Sequence, residues 1–178
     1  MPDPGSGSRG AGRGLFVGVV GTGTALAPEV EGVAEEVGRR LAAVGSVLVC
    51  GGLGGVMAAA CRGAASAGGT TVGILPGEDR HEANRWVTVP VATGLGELRN
   101  ALVVRASDAL VAVGGGAGTL SEIALALKLG RPVVGLGTWR LGRPDGSEEP
   151  GLVVARTAAE AVDEALALAR SVRPAAGR

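Results

Sequence analysis

The chain has 178 residues, with 17 Lys+Arg balanced by 17 Asp+Glu, so its formal net charge is zero. That balance argues against a bulk nucleic-acid or membrane-surface binder, and one Phe, two Trp and no Tyr are too few for a base-stacking platform. Hydrophobic residues make up 46%, enough for the core of one domain, and no apolar run approaches the roughly 20 residues of a membrane span.

Residues 1–14 read as a flexible leader rich in Gly and Ser, without the long apolar segment of a signal peptide. The folded domain is expected over 15–172, with a flexible tail at 173–178. Five apolar runs predict strands: Leu15–Val20, Val47–Cys50, Thr71–Leu75, Ala109–Val113 and Pro132–Leu136. They are continuous rather than alternating, the mark of parallel strands buried on both faces. Trp86–Val89 is expected to add a short strand.

Helical patterns lie between the runs. In the first, Val30, Val33, Ala34, Val37, Leu41 and Val44 share a stripe, with Pro28 near its start and Gly45 just past its end. Others cover about Val56–Ala65, Glu97–Ser107, Thr119–Leu129 and Ala158–Val172. The polar 139–150 segment reads as a surface loop. This alternation implies a single-domain α/β fold: a Rossmann-like, doubly wound, mainly parallel sheet with helices on both faces.

Three glycine-bearing turns fall at strand ends: Gly21-Thr22-Gly23, Gly51-Gly52-Leu53-Gly54-Gly55 and Gly114-Gly115-Gly116-Ala117-Gly118-Thr119. Each leads towards a helix, where exposed backbone N–H groups and the positive helix end favour a phosphate. The dinucleotide fingerprint G-x-G-x-x-G fails, because Leu26 stands where its third glycine belongs. Lys128 is the only lysine, late in a helix, where it complements the helix dipole. That argues against a Schiff-base enzyme, and no P-loop Gly-Lys-Ser/Thr exists.

Cys50 and Cys61 are too few for a disulfide framework, and with His81, the lone histidine, they form no zinc motif. A reduced, cytoplasmic protein with no metal site is expected. Cys50 reads as a small buried hydrophobe and His81 as a solvated loop residue.

The segment GGGAGTLSE, Gly114–Glu122, is the most specific in the chain. Helical spacing predicts that Leu120, Ile123, Ala124 and Leu127 share one face and that Glu122 projects from another. Thr119-Leu120-Ser121-Glu122 also fits a capping box. Capping does not explain the glycines, so a ligand-binding turn is favoured, and the two roles can coexist. Arg99 and Asn100 open the third helix. An arginine there can hold a phosphate or face a carboxylate, although a lone helix-surface arginine is usually solvated.

Taken in order, these segments resemble the LOG-like Rossmann proteins once labelled lysine decarboxylases, a group of cytokinin riboside 5′-monophosphate phosphoribohydrolases and molybdenum cofactor carrier proteins. Cys50–Met57 is similar to the family's glycine-rich turn ending in Gly-Leu-Met, and Val72–Pro76 to its next strand. GGGAGTLSE resembles the signature P-G-G-x-G-T-x-x-E at every fixed position except the first, Gly114.

The resemblance implies that Arg99 and Glu122 are a catalytic pair for N-glycosidic cleavage. It also implies phosphate binding at Gly115, Gly116, Gly118 and Thr119. Gly21, Thr22, Gly51, Gly52, Gly55, Met57, Asn100 and Gly114 complete the candidate ligand site. The substrate expected is a purine nucleoside 5′-monophosphate, AMP or a cytokinin ribotide, with no cofactor required. Asn100 and Gly114 stand where the enzymes carry Lys and Pro, as in the carrier-like branch. The alternative is therefore a non-catalytic protein that binds a nucleotide or the molybdenum cofactor. The helix over Thr119–Leu129 is apolar nearly all round, and with the resemblance it implies a homodimer or larger homo-oligomer. A nucleic-acid or membrane partner is not expected.

Overall fold

The computed structural model describes residues 14–172. The flexible leader and tail expected at 1–14 and 173–178 lie outside the described residues, Gly14 apart. The apolar runs become β1 (Phe16–Gly21), β2 (Val47–Cys50), β3 (Thr71–Leu75), β5 (Ala109–Val113) and β6 (Val133–Leu136). Two further strands, β4 (Val89–Ala92) and β7 (Leu152–Ala155), form the edges of one sheet ordered β4-β3-β2-β1-β5-β6-β7. All six pairings are parallel.

The helices are α1 (Pro28–Ala43), α2 (Val56–Ser66), α3 (Asn100–Ala106), α4 (Ala117–Lys128) and α5 (Ala158–Val172). A 3-10 turn, Gly96–Arg99, leads into α3. Side chains alternate through the sheet into two cores. Val17, Val19, Ala109 and Val111 meet α1, α2 and α5, whereas Val20, Leu110 and Ala112 meet Val103 and Val104 of α3 and Ile123 and Ala126 of α4. The α/β reading with helices on both faces holds.

The α1 and α2 helices pack backbone to backbone. A Cβ on Gly38 would strike the Ala60 carbonyl, and one on Gly63 the Glu35 carbonyl. Arg62 then ties α2 to α1 through Glu31 at 2.8 Å and Glu35 at 2.7 Å.

Three expectations are corrected. The short strand lies at Val89–Ala92 rather than Trp86–Val89. Ahead of it the Thr71 N–H is taken by the Thr88 hydroxyl at 2.8 Å, and the ladder begins only at Val72↔Val89. Thr119–Glu122 makes no capping box. The α4 helix starts at Ala117 with Gly116 as N-cap, because the Gly116 carbonyl accepts the Leu120 N–H at 3.0 Å. Thr119 thus falls inside the first turn, three residues too late to cap it. Finally, the buried stripe of α4 is Thr119, Glu122, Ile123 and Ala126, while Ala124 is exposed. Glu122 therefore shares the buried face with Ile123.

The chain builds β1 to β4 outward on one side, then returns to place β5 on the other side of β1. The crevice at this reversal opens between the carboxyl ends of β1 and β5, where Gly21 pairs with Val113. Among the described residues no helix is long and apolar enough to cross a membrane.

Candidate functional site

A cavity of about 300 Å³ occupies that crevice. Gly21 and Thr22 from the end of β1 form one wall, and Gly51 with Met57 of α2 form a second. Arg99 and Asn100 enter from the 3-10 turn and α3, and Gly116, Gly118, Thr119 and Glu122 from the start of α4. Four segments far apart in sequence thus meet where the strand order reverses. Gly23 and Leu53 also line the cavity. They sit inside the glycine-bearing turns, where the sequence points to their neighbours rather than to them.

Gly52, Gly55, Gly114 and Gly115 stand outside this lining. The Gly52 carbonyl accepts the Asn84 N–H at 2.8 Å. Gly55 caps α2 at φ +59°, and a Cβ there would collide with the Thr22 carbonyl, which accepts the Val56 N–H at 3.0 Å. Gly115 lies against the Thr119 side chain. Gly114 opens instead on a separate crevice of about 210 Å³ beside Val30, Leu136 and Arg156.

Arg99 is only 8% exposed, against the usual expectation for a helix-surface arginine. The glycine at position 51 makes this possible: a Cβ there would stand 2.6 Å from the Arg99 Cζ. Nη1 donates to the Asn100 Oδ1 at 2.7 Å and lies 4.0 Å from the Glu122 Oε1. Nε is buried and, among the described residues, has no hydrogen-bond partner. A buried donor left unpaired costs free energy, and an anion entering the cavity can recover it. Asn100 orients the guanidinium without adding a second cation that would repel it.

Glu122 is 7% exposed. Burial raises its carboxyl to about 7, and the nearby Arg99 guanidinium only partly opposes that rise. Burial also lowers Arg99 from its usual value, with Glu122 and Cys50 pulling the other way. Near neutrality the cavity therefore holds a full cation beside a carboxyl that is only partly ionised. With the exposed amides at the start of α4, this gives the cavity a positive bias. Such a site can hold a phosphate, and its carboxyl can exchange a proton near pH 7.

Cys50 and Cys61 lie just behind Gly51 as free, buried thiols 3.5 Å apart. His81 is exposed. Among the described residues, no group of three or more His, Cys, Asp and Glu side chains is placed to hold a metal ion.

The fold has close counterparts. The molybdenum cofactor binding protein from Rippkaea orientalis superposes with a TM-score of 0.79 at 32% identity, covering 89% of this chain and 99% of that one. The molybdenum cofactor carrier protein from Chlamydomonas reinhardtii superposes with a TM-score of 0.76 at 39% identity, covering 88% and 98%. An uncharacterised protein of Archaeoglobus fulgidus is 46% identical over 122 residues, 68% of this chain and 80% of that protein. The family model LDcluster4, described as the SLOG cluster4 family, matches residues 14–168, and the chain belongs to that family.

Proposed function

We propose that the cavity binds the phosphate of a small phosphorylated ligand and that the protein serves as a binding or carrier protein for a ligand of the molybdenum-cofactor type. Arg99, a buried cation with an unpartnered Nε in the wall of a cavity rimmed by the glycine turn of α4, is the observation that carries this reading. The similarity to the two molybdenum cofactor proteins supports it. That cofactor is a pterin ending in a phosphate monoester, with the metal held on its own dithiolene. Arg99 and the amides of Ala117, Gly118 and Thr119 would hold the phosphate, and Asn100 and Thr22 would face the remainder.

A second reading, hydrolysis of a purine nucleoside 5′-monophosphate, is favoured by Arg99 standing 4.0 Å from a Glu122 that titrates near 7. In it the C1′–N bond breaks through an oxocarbenium-like state that the Glu122 carboxylate stabilises. Water adds to C1′, and the base leaves with a proton. Incubation of the purified protein with AMP and isopentenyladenosine monophosphate separates the two. Binding by calorimetry without chromatographic release of free base supports the carrier. Release of base and ribose 5-phosphate that disappears in Glu122→Ala supports the hydrolase. Failure to bind AMP, inorganic phosphate or anaerobically supplied molybdenum cofactor removes both.

Self-association belongs to the same proposal. The large apolar side chains of α4 are mostly turned inward, with Leu125, Leu127 and the C-capping Leu129 partly buried against the core. Three exposed leucines flank Arg99 in the sequence instead: Leu98 is 76% exposed, Leu95 47% and Leu102 37%. Such a patch on a small protein is suited to a subunit contact. Sedimentation at micromolar concentration should show a dimer or larger, and Leu98→Asp should shift it to monomer. A wild-type monomer of 17.4 kDa would contradict this assignment.

A further inference from the structure

The segment after β6, which as sequence is only a surface loop, reaches back to the glycine turn of the site. The Thr138 hydroxyl donates to the Gly114 carbonyl, and the Trp139 indole Nε1–H donates to the Gly116 carbonyl at 3.1 Å. The Gly114 N–H in turn donates to the Leu136 carbonyl at 2.9 Å. Both ends of Gly114–Gly116 are thus fastened to β6 and to Thr138 and Trp139 shortly beyond it.

That fastening matters because of what it holds. Gly114 and Gly115 sit at φ +54° and +103°, and consecutive glycines have more backbone freedom to lose than any other residues. Among the described residues every peptide is trans, so a carbonyl fixed in one direction sends the next N–H the opposite way. Anchoring the Gly116 carbonyl aims the Ala117 N–H, one of the unpaired donors in the first turn of α4, away from the indole. Gly116 and Gly118, on either side of it, line the cavity. Anchoring the Gly114 carbonyl fixes the Gly115 N–H in the same way.

The rest of the loop holds Trp139 in place. Arg140 pairs with Glu148, Arg143 with Glu149 at 2.9 Å, and Gly142 bridges to Glu148. Trp139 itself is 40% exposed.

We propose that Thr138 and Trp139 are positioning residues that preorganise the glycine-turn amides for the anion. The proposal rests on the reading that the cavity takes a phosphate.

The test uses the full chain, with AMP and inorganic phosphate as probes in calorimetry. Trp139→Phe keeps a ring and removes the indole donor. It should weaken AMP binding about threefold to tenfold, the usual loss for one hydrogen bond, with the melting temperature little changed. Thr138→Val should behave alike, and Thr138→Ser, which keeps the hydroxyl, should restore wild-type affinity. In a Trp86→Phe background Trp139 is the sole tryptophan, and its emission should change on AMP addition with the calorimetric midpoint.

Wild-type affinity in both Trp139→Phe and Thr138→Val, with AMP binding intact in the parent and lost in Arg99→Ala, overturns the positioning role and leaves the phosphate reading standing. Emission from Trp139 indifferent to saturating AMP overturns it as well. No binding of AMP or phosphate by the parent protein overturns the phosphate reading, and the positioning role falls with it.

Discussion

Replacing Arg99 with alanine is expected to weaken binding of AMP and of inorganic phosphate by about 10- to 100-fold, the range for losing charge-assisted hydrogen bonds in a site shielded from water. Arg99 is the only cationic side chain lining the cavity, and its Nε has no other partner among the described residues. Lysine at this position keeps a charge but offers no planar fork, so Arg99→Lys should recover only part of the loss. Arg105, exposed on the adjoining α3, is the control, and Arg105→Ala should bind as the parent does. The alanine variant should still fold below neutral pH. Glu122 then loses the cation 4.0 Å away and answers by holding its proton to higher pH, rather than standing as a bare buried anion. Calorimetry on the three variants decides the matter. Unchanged affinity in Arg99→Ala would move the phosphate away from this side chain.

The central fold was legible because its signal is strong where burial is complete. β1, β2, β3, β5 and β6 are continuous apolar runs flanked on both sides by helices, and each appears within a residue or two of its expected place. The edge strands lack that signal. In β4, Val89 and Val91 are exposed and Pro90 interrupts the run, as an edge strand allows. In β7, Leu152 and Val153 are half-buried and Val154 is 54% exposed, so a four-residue run after a long polar loop stays inconspicuous.

The glycine turns marked the site for a local reason, since each carries its own backbone chemistry. The burial of Arg99 and Glu122 is not local. It depends on Gly51 making room from another strand end, and on a crevice that exists only once β5 has returned beside β1. Helical periodicity therefore assigned Glu122 to the wrong face of α4. The contact of Trp139 is not legible either, because the carbonyl it meets lies in the turn after the neighbouring strand β5.

Glu122 should also leave its mark on stability as a function of pH. Its carboxyl sits at 4.5 in the unfolded chain and at about 7 in the fold, raised by burial. Between those values the native protein keeps a proton that the unfolded chain has lost, so stability falls as pH rises through this window and levels off above it. The gap corresponds to about 3 kcal/mol between pH 4 and pH 8. Glu122→Gln imitates the protonated acid at every pH. It should match the parent near pH 4 and exceed it at pH 8 by up to that amount, as urea unfolding at the two pH values will show. Parallel pH profiles for parent and variant would refute the assignment.

The same titration separates the two functional readings. An ionised Glu122 repels a phosphate, so AMP binding by the parent should weaken above pH 7 relative to Glu122→Gln, a comparison that cancels the ionisation of the phosphate itself. Hydrolysis needs the carboxylate, so turnover by the parent should rise through the pH range in which binding weakens, and Glu122→Gln should bind without turning over. A carrier shows the first trend alone.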